Sequence, residues 1–152
     1  MRALLIGALS LTALLVLAAA AYVAVLRLAP IDIARWHLDP AKAEDPGIAG
    51  VQLVAGAAPV FAEPPAALSA RVADVLAGHP RATLVAGSVE DGHLTYLFKT
   101  KWIGFADFMS LKVSTAPEGA RLEIVSQSRI GGYDYGVNRA RVDDLLRRLG
   151  AR

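Results

Sequence analysis

The sequence lacks cysteine altogether and has little histidine. Without cysteine there is no disulfide framework, no thiol nucleophile, no cysteine-ligated zinc and no iron–sulfur cluster. The three histidines, His37, His79 and His93, are scattered, and no pair of them has metal-ligand spacing. We therefore expect no metal and no cofactor.

An excess of charge is also missing from most of the chain. The 152 residues include 16 basic and 14 acidic side chains. Arg2 and Arg27 both precede residue 29, so residues 29–152 carry 14 charges of each sign. A formally neutral domain lacks the positive surface on which nucleic-acid binding depends. We therefore do not expect a nucleic acid as a partner.

Long apolar runs are absent except for one, over residues 3–26. These 24 residues are uncharged and mostly apolar, and about 20 such residues span a bilayer as a helix. Residues 1–28 are therefore predicted to be a single-pass membrane anchor. A cleaved signal peptide is the alternative, since Ala19–Ala21 offers small residues for cleavage, but its apolar region runs only ~7–15 residues.

The distribution of positive charge around this run predicts its orientation. The amino terminus and Arg2 lie on one side and Arg27 on the other, a weak bias that favours a cytoplasmic N-terminus. The alanine-rich composition and the lack of cysteine are typical of bacterial envelope proteins. We expect the anchor in the bacterial inner membrane and the remaining chain in the periplasm.

Proline and glycine recur too often over residues 30–65 for a long helix. Residues 29–58 are accordingly predicted to be a linker, with short extended pieces at 51–54 and 59–62. Trp36 leaves two alternatives open, because it can lie at the membrane interface, where Trp is favoured, or pack on the domain.

Four segments with strand character follow, at residues 82–89, 93–101, 108–115 and 121–128. Short turns between most of them predict an antiparallel meander. Alternation of apolar and polar residues predicts one buried face and one exposed face. The expected buried face carries Leu94, Tyr96, Phe98, Met109, Leu111, Val113, Leu122 and Ile124. The expected exposed face carries Lys99, Ser110, Lys112, Ser114 and Glu123.

Two amphipathic helices flank this meander. Pro65 suits a first helical turn, and Asn138 suits the N-cap of the final helix. Their apolar residues recur at helical spacing: Leu68, Val72, Val75 and Leu76, then Val142, Leu145, Leu146 and Leu149. Residues 59–152 are therefore predicted to form a two-layer α+β domain with two helices on an antiparallel sheet of four strands or slightly more.

The densest polar stretch, residues 126–141, joins the last strand to the last helix. Its glycines permit tight turns, and a helix start presents free backbone N–H groups to an anion. The candidate ligand-binding residues are Arg129, Asp134, Asn138 and Arg141. The alternative is a structural corner in which Asp134 pairs with Arg129 or Arg141 and Asn138 caps the helix.

Other candidate residues are less specific. Lys99, Lys101 and Lys112 suit either an anion-binding face or a solvated sheet edge. Asp107, between Phe105 and Phe108, is expected in a loop, as a turn residue or as a carboxylate with a perturbed pKa. No serine has the surroundings of a nucleophile elbow, so no catalytic residues are predicted.

Several of these residues together resemble the domain of unknown function 1499 family, which occurs in bacterial envelope proteins and some plastid proteins. The likeness covers roughly residues 59–149, and the family has no established activity, substrate or cofactor. Gly132, Tyr133 and Tyr135 depart from its pattern, and residues 40–55 lack its Pro-Asn pattern. The matching residues are Ser126, Ser128, Arg129, Gly131, Asp134, Gly136, Val137, Asn138 and Arg141, preceded by Gly87, Ser88, Tyr96, residues 104–108 and Val113.

Two functional hypotheses follow. The first is a membrane-anchored binding or scaffolding module that recognises an anionic lipid headgroup, a small ligand or an envelope protein. The second is a hydrolase-like or other enzyme with a dispersed site of Arg129, Asp134 and Asp107. The absence of a catalytic motif favours the first.

Overall fold

The computed structural model describes residues 2–100, 104–130 and 132–151. Lys101 and Gly131, which the sequence analysis singled out, lie outside these ranges. The described residues form three helices and six strands, with short 3-10 turns at Ile33–Arg35, Gly47–Ala49 and Ala55–Ala57. The helices are α1 Arg2–Leu28, α2 Pro65–Ala77 and α3 Val137–Arg148. The strands are β1 Gly50–Leu53, β2 Val60–Phe61, β3 Ala82–Ser88, β4 His93–Lys99, β5 Ala106–Ala116 and β6 Gly119–Ser128.

From Ile6 onward, helix α1 is almost wholly exposed. Its residues Ile6–Leu28 are long and apolar enough to cross a membrane, although a signal sequence near an N-terminus meets the same test. It is the one helix of this kind among the described residues.

The sheet is antiparallel, in the order β1-β6-β5-β4-β3, and β2 also pairs with β6. β3, β4, β5 and β6 form the predicted meander, in which Leu111 lies opposite both Leu94 and Ile124. The α+β class is therefore confirmed, with six strands in the part of the chain that the structure describes. The two extra strands come from the proline-rich region, where β1 pairs with β6.

Helices α2 and α3 cover one face of the sheet and enclose the core. Leu68 and Val72 of α2 and Val142 of α3 are completely shielded from solvent. At ~25 cal/mol per Å² of apolar surface removed from water, this layer supplies most of the stability. The predicted buried-face residues all lie in this cluster.

The alternation predicted that the opposite face of the sheet is exposed, but part of it is covered. Residues 31–39, called the strap here, lie across it and bury Leu97, Phe108 and Ser110. The Trp36 ring stacks on Phe108 at a centroid distance of 4.5 Å. Of the two alternatives for Trp36, packing on the domain is therefore the one observed.

Hydrogen bonds hold the strap in register with β4 and β5. Ser110 Oγ donates to the Trp36 carbonyl at 2.7 Å and accepts from the Leu38 N–H at 3.3 Å. Lys112 Nζ lies 2.6 Å from an Asp39 carboxylate oxygen. These contacts favour a domain that begins earlier than residue 59, and the division at residues 28 and 58 stays a prediction.

Trp36→Ala is expected to lower the free energy of unfolding by about 2 kcal/mol, less than the ~3–5 kcal/mol of a fully buried Trp because Trp36 is only partly buried. Denaturant unfolding of the full chain in neutral micelles, followed by circular dichroism, measures this. Ile48→Ala, at a side chain exposed by 71%, serves as the control and should change little. An equally small loss for Trp36→Ala would show that the strap adds nothing to the fold.

Candidate functional site

The polar corner at residues 126–141 is built around a closed ring of four side chains from β5, β6 and α3. Asp107 accepts hydrogen bonds from Arg141 Nη2 at 3.0 Å and Ser128 Oγ at 2.7 Å. Asn138 donates to Ser128 Oγ at 3.2 Å and accepts from Arg141 Nη1 at 2.8 Å. We call these four residues the polar ring.

The polar ring is largely buried, so water cannot easily replace a hydrogen bond that is lost within it. Asn138 is fully shielded and Asp107 is 6% exposed, and Ser126 Oγ also donates to Asn138 Oδ1 at 2.7 Å. The Arg141 guanidinium lies 4.3 Å from the centre of the Phe98 ring, a cation–π distance. Burial lowers the pKa of Arg141, while the adjacent Asp107 opposes that shift.

Two expectations about this corner were wrong. Asn138 does not cap α3: its side chain turns inward to the polar ring, and the N-cap position is Gly136. Asp134 does not pair with Arg129 or Arg141, because its oxygens accept from the Gly136 and Asn138 N–H groups at 2.8 and 2.9 Å. Asp and Asn commonly bond to the backbone two residues on, and that tendency is the sequence signal for this arrangement.

Asp107 was also misplaced by the sequence analysis. It lies in β5, opposite Ser128 of β6, and not in a loop. Its partner Arg141 is 34 residues away in the chain, so no local pattern could have paired them.

Arg129 lies apart from the polar ring, at the junction with α1. Its Nη2 donates to the Pro30 carbonyl at 3.1 Å. Its Nη1 is buried with no hydrogen-bond partner among the described residues. Of the four candidate residues, then, Asn138 and Arg141 belong to the ring, Asp134 holds the start of α3, and Arg129 contacts Pro30, two residues after the end of α1.

A basic cleft opens on the exposed side of Arg141. It has a volume of about 310 Å³. A neighbouring cleft shares Arg81, Lys99 and Thr100 with it and extends to Arg27 and Gly104 near the end of α1. The basic cleft is lined by His79, Arg81, Phe98, Lys99, Thr100, Val137, Ala140, Arg141 and Asp144.

Positive charge dominates the basic cleft. Of the described residues that line it, Asp144 alone is acidic, and that carboxylate pairs with Arg147 and Arg148. Among the described residues, Arg81 and Lys99 have no ion-pair partner. Burial lowers the pKa of His79, and Arg141 and Arg81 lower it further, as expected where positive potential is high.

The other histidines form a stack that the sequence did not suggest. The His37 and His93 ring centres are 3.9 Å apart, and His93 Nε2 donates to the Leu38 carbonyl. Burial lowers the pKa of His37, and the proximity of His93 lowers it further. The hydrogen bond from His93 fastens the strap to β4. Within the described residues no group of three metal-ligating side chains forms.

Asp107→Ala is expected to cost about 3 kcal/mol of stability, because it leaves the buried Arg141 charge without a partner. The double variant Asp107→Ala/Arg141→Met should lose less than the sum of the two single losses, by about 1–3 kcal/mol. Denaturant unfolding in neutral micelles gives all three values.

The control for this cycle is Asp143→Ala, which breaks the exposed pair between Arg139 and Asp143 and should cost no more than ~1 kcal/mol. Strictly additive losses at Asp107 and Arg141 would mean that the two charges do not interact.

Asp134→Ala should cost about 1 kcal/mol at neutral pH, as losing a helix cap does. Burial alone would raise the pKa of Asp134, but hydrogen bonds from Asn138 and Gly136 outweigh it and lower the pKa. A carboxylate with a lowered pKa stabilises the fold above its unfolded value of ~3.9 and stops doing so as pH falls through the folded value. The stability gap between wild type and variant should therefore close in acid, and a gap of constant size would contradict this account.

Comparison with known proteins gives one match. The family model described as "Protein of unknown function (DUF1499)" matches residues 34–149. The match begins inside the strap, earlier than the resemblance at residues 59–149 had indicated. Neither a curated protein nor a solved structure matches the chain.

Proposed function

Since the chain belongs to the DUF1499 family of proteins of unknown function, we propose a function from its geometry: a membrane-anchored protein whose domain binds a phosphate-bearing or similar anionic ligand in the basic cleft. The observation that carries this proposal is the pair of cations beside the buried Arg141, Arg81 and Lys99, which have no ion-pair partner among the described residues. An unpaired surface cation is common, but three cations around one concave site are suited to an anion.

The composition of the cleft supports anion binding in detail. Arg141 is oriented by Asp107 and Asn138, so little side-chain entropy remains to be lost when a ligand binds. The Thr100 hydroxyl lines the same cleft, although it already accepts from the Gly104 and Phe105 N–H groups. Arg81 and Lys99 are exposed and supply charge that water would otherwise solvate.

Membrane anchoring supports a lipid headgroup as one source of the anion. In this proposal α1 spans the bacterial inner membrane once, with its N-terminus in the cytoplasm and the domain in the periplasm. Arg27, in the last turn of α1, lines the neighbouring cleft. The bound anion would therefore lie close to the headgroup layer.

Catalysis has less support than binding. The oxygens of Asp107 and Asp134 are all engaged by hydrogen bonds, and a carboxylate with the lowered pKa of Asp134 is a poor general base. Among the described residues, no histidine forms a hydrogen bond to a carboxylate. A scaffolding role that uses the same cleft for an acidic partner protein remains within this proposal.

Arg81→Ala/Lys99→Ala should weaken anion binding by about tenfold or more, because hydrogen bonds to charged groups contribute ~1.5–3 kcal/mol each. Native mass spectrometry of the full chain in neutral detergent measures this with three probes: short-chain phosphatidylglycerol, short-chain phosphatidylcholine and inorganic phosphate. Preference for phosphatidylglycerol over both others would identify a lipid headgroup, and saturable phosphate binding would identify a free anion.

The matched control is Lys42→Ala/Arg139→Ala, which removes the same charge from residues outside the basic cleft. It should bind as wild type does. Equal weakening in both double variants would show that only the net charge of the protein matters. No anion binding by the wild type would refute the proposal.

A further inference from the structure

The loop between β6 and α3 exposes more apolar surface than the fold explains. Tyr135 is 84% exposed and Tyr133 is 56% exposed, with Ile130 and Val137 nearly half exposed beside them. The two tyrosine rings touch edge to face, 4.7 Å apart. We call residues 130 and 132–137 the tyrosine loop.

The backbone holds Tyr135 in this outward position at a cost. Its φ is +55°, in the left-handed region that bulky residues rarely adopt. The Asp134 carboxylate fixes the turn by accepting from the N–H groups on both sides of Val137. An exposed aromatic residue in a strained, fixed turn adds nothing to the core, and strained residues of this kind cluster at functional sites.

The tyrosine loop lies beside the carboxyl-terminal part of α1. Tyr22 of α1 lines the same cleft as Tyr133 and Tyr135. Tyr22 is six residues before Leu28, the last residue of α1, which places it about 9 Å below the end of the helix at 1.5 Å per residue.

The junction between α1 and the domain is packed, so this placement is defined. Leu26 is 5% exposed, and Arg129 bonds to the Pro30 carbonyl. The Arg27 stem approaches Gly104 so closely that a Cβ there would lie 2.6 Å from Arg27 Cγ. Helix and domain therefore meet through direct contacts.

The length of α1 locates Tyr22 relative to a bilayer. The 23 residues Ile6–Leu28 extend about 34 Å, slightly more than the ~30 Å hydrocarbon core. Arg27 requires the headgroup layer, so Tyr22, about 7.5 Å below it, falls near the boundary of the core. Trp and Tyr side chains are enriched at this depth.

We propose that the tyrosine loop is a membrane-contacting surface, whose tyrosines enter the interfacial layer of the bilayer that holds α1. This inference rests on the membrane anchor of the proposed function and is independent of anion binding. Each Tyr places its apolar ring toward the acyl chains and its hydroxyl toward the headgroups. The contact fixes the tilt of the domain, and so the height of the basic cleft above the membrane.

The absence of cysteine makes a direct test simple, because one introduced cysteine takes one nitroxide label. Four single variants are made in the full chain: Leu15→Cys on α1, Tyr135→Cys and Val137→Cys on the loop, and Val60→Cys. Val137→Cys keeps both tyrosines. Val60 is 42% exposed and pairs with Arg121. Arg121 lies seven residues, or ~23 Å, from Ser128 along β6.

The labelled chains are reconstituted in vesicles of phosphatidylcholine and phosphatidylglycerol. Power saturation compares collisions with oxygen, which concentrates in the bilayer, and with a water-soluble nickel chelate. We expect the oxygen-to-nickel ratio to be highest at Leu15, several times lower at Tyr135 and Val137, and lowest, at the aqueous value, at Val60.

The outcomes separate the two proposals. An aqueous ratio at Leu15 would overturn the anchor and the loop contact together. A membrane ratio at Leu15 with the Val60 value at both loop sites would overturn the loop contact alone. Loop labels shielded from oxygen and nickel alike would show that a protein covers the loop. That result would also overturn the membrane contact of the loop.

Discussion

The ion pair between Asp107 and Arg141 determines how the rest of the candidate site is arranged. It joins β5 to the first turns of α3 with both groups largely out of water, at side-chain exposures of 8% and 14%. A buried charge left alone would cost several kcal/mol, so α3 has little freedom to rotate or slide. Asn138, one turn before Arg141, completes the polar ring and fixes the same register.

Both proposed surfaces follow from this fixed position of α3. On one side the outer face of Arg141 forms part of the basic cleft with Arg81 and Lys99. On the other side the chain entering α3 turns outward as the tyrosine loop, next to Tyr22. A protein whose anion site and membrane contact share one rigid helix start can hold that site at a set distance from the bilayer.

The sequence predicted the parts of the fold that depend on local periodicity. The core residues of α2, α3 and the β4–β6 meander, such as Leu68, Val142 and Leu111, follow from helical spacing and strand alternation. The strap was not predictable, because it is irregular and its contacts join residues about 70 positions apart, as in the bond from Ser110 to Trp36. Alternation alone does not tell which strand face a distant irregular segment will cover.

The candidate site was predictable in its residues but not in its contacts. Arg129, Asp134, Asn138 and Arg141 were picked out by their density near a helix start, yet the main partner of Arg141 is Asp107, from another strand. Lys99 was a candidate for an anion-binding face, but its association with Arg81 and Arg141 was missed. Arg81 directly precedes β3 and Lys99 ends β4, and only the sheet brings them to α3.

The most direct measurement of the central claim is the NMR response of the arginine and lysine side chains of the full chain in neutral micelles during a titration with short-chain phosphatidylglycerol. The account predicts saturable shifts at Arg81, Lys99 and Arg141, with Arg139 unmoved although it lies on the same helix. Shifts confined to other residues, or none at all, would contradict an anion site in the basic cleft.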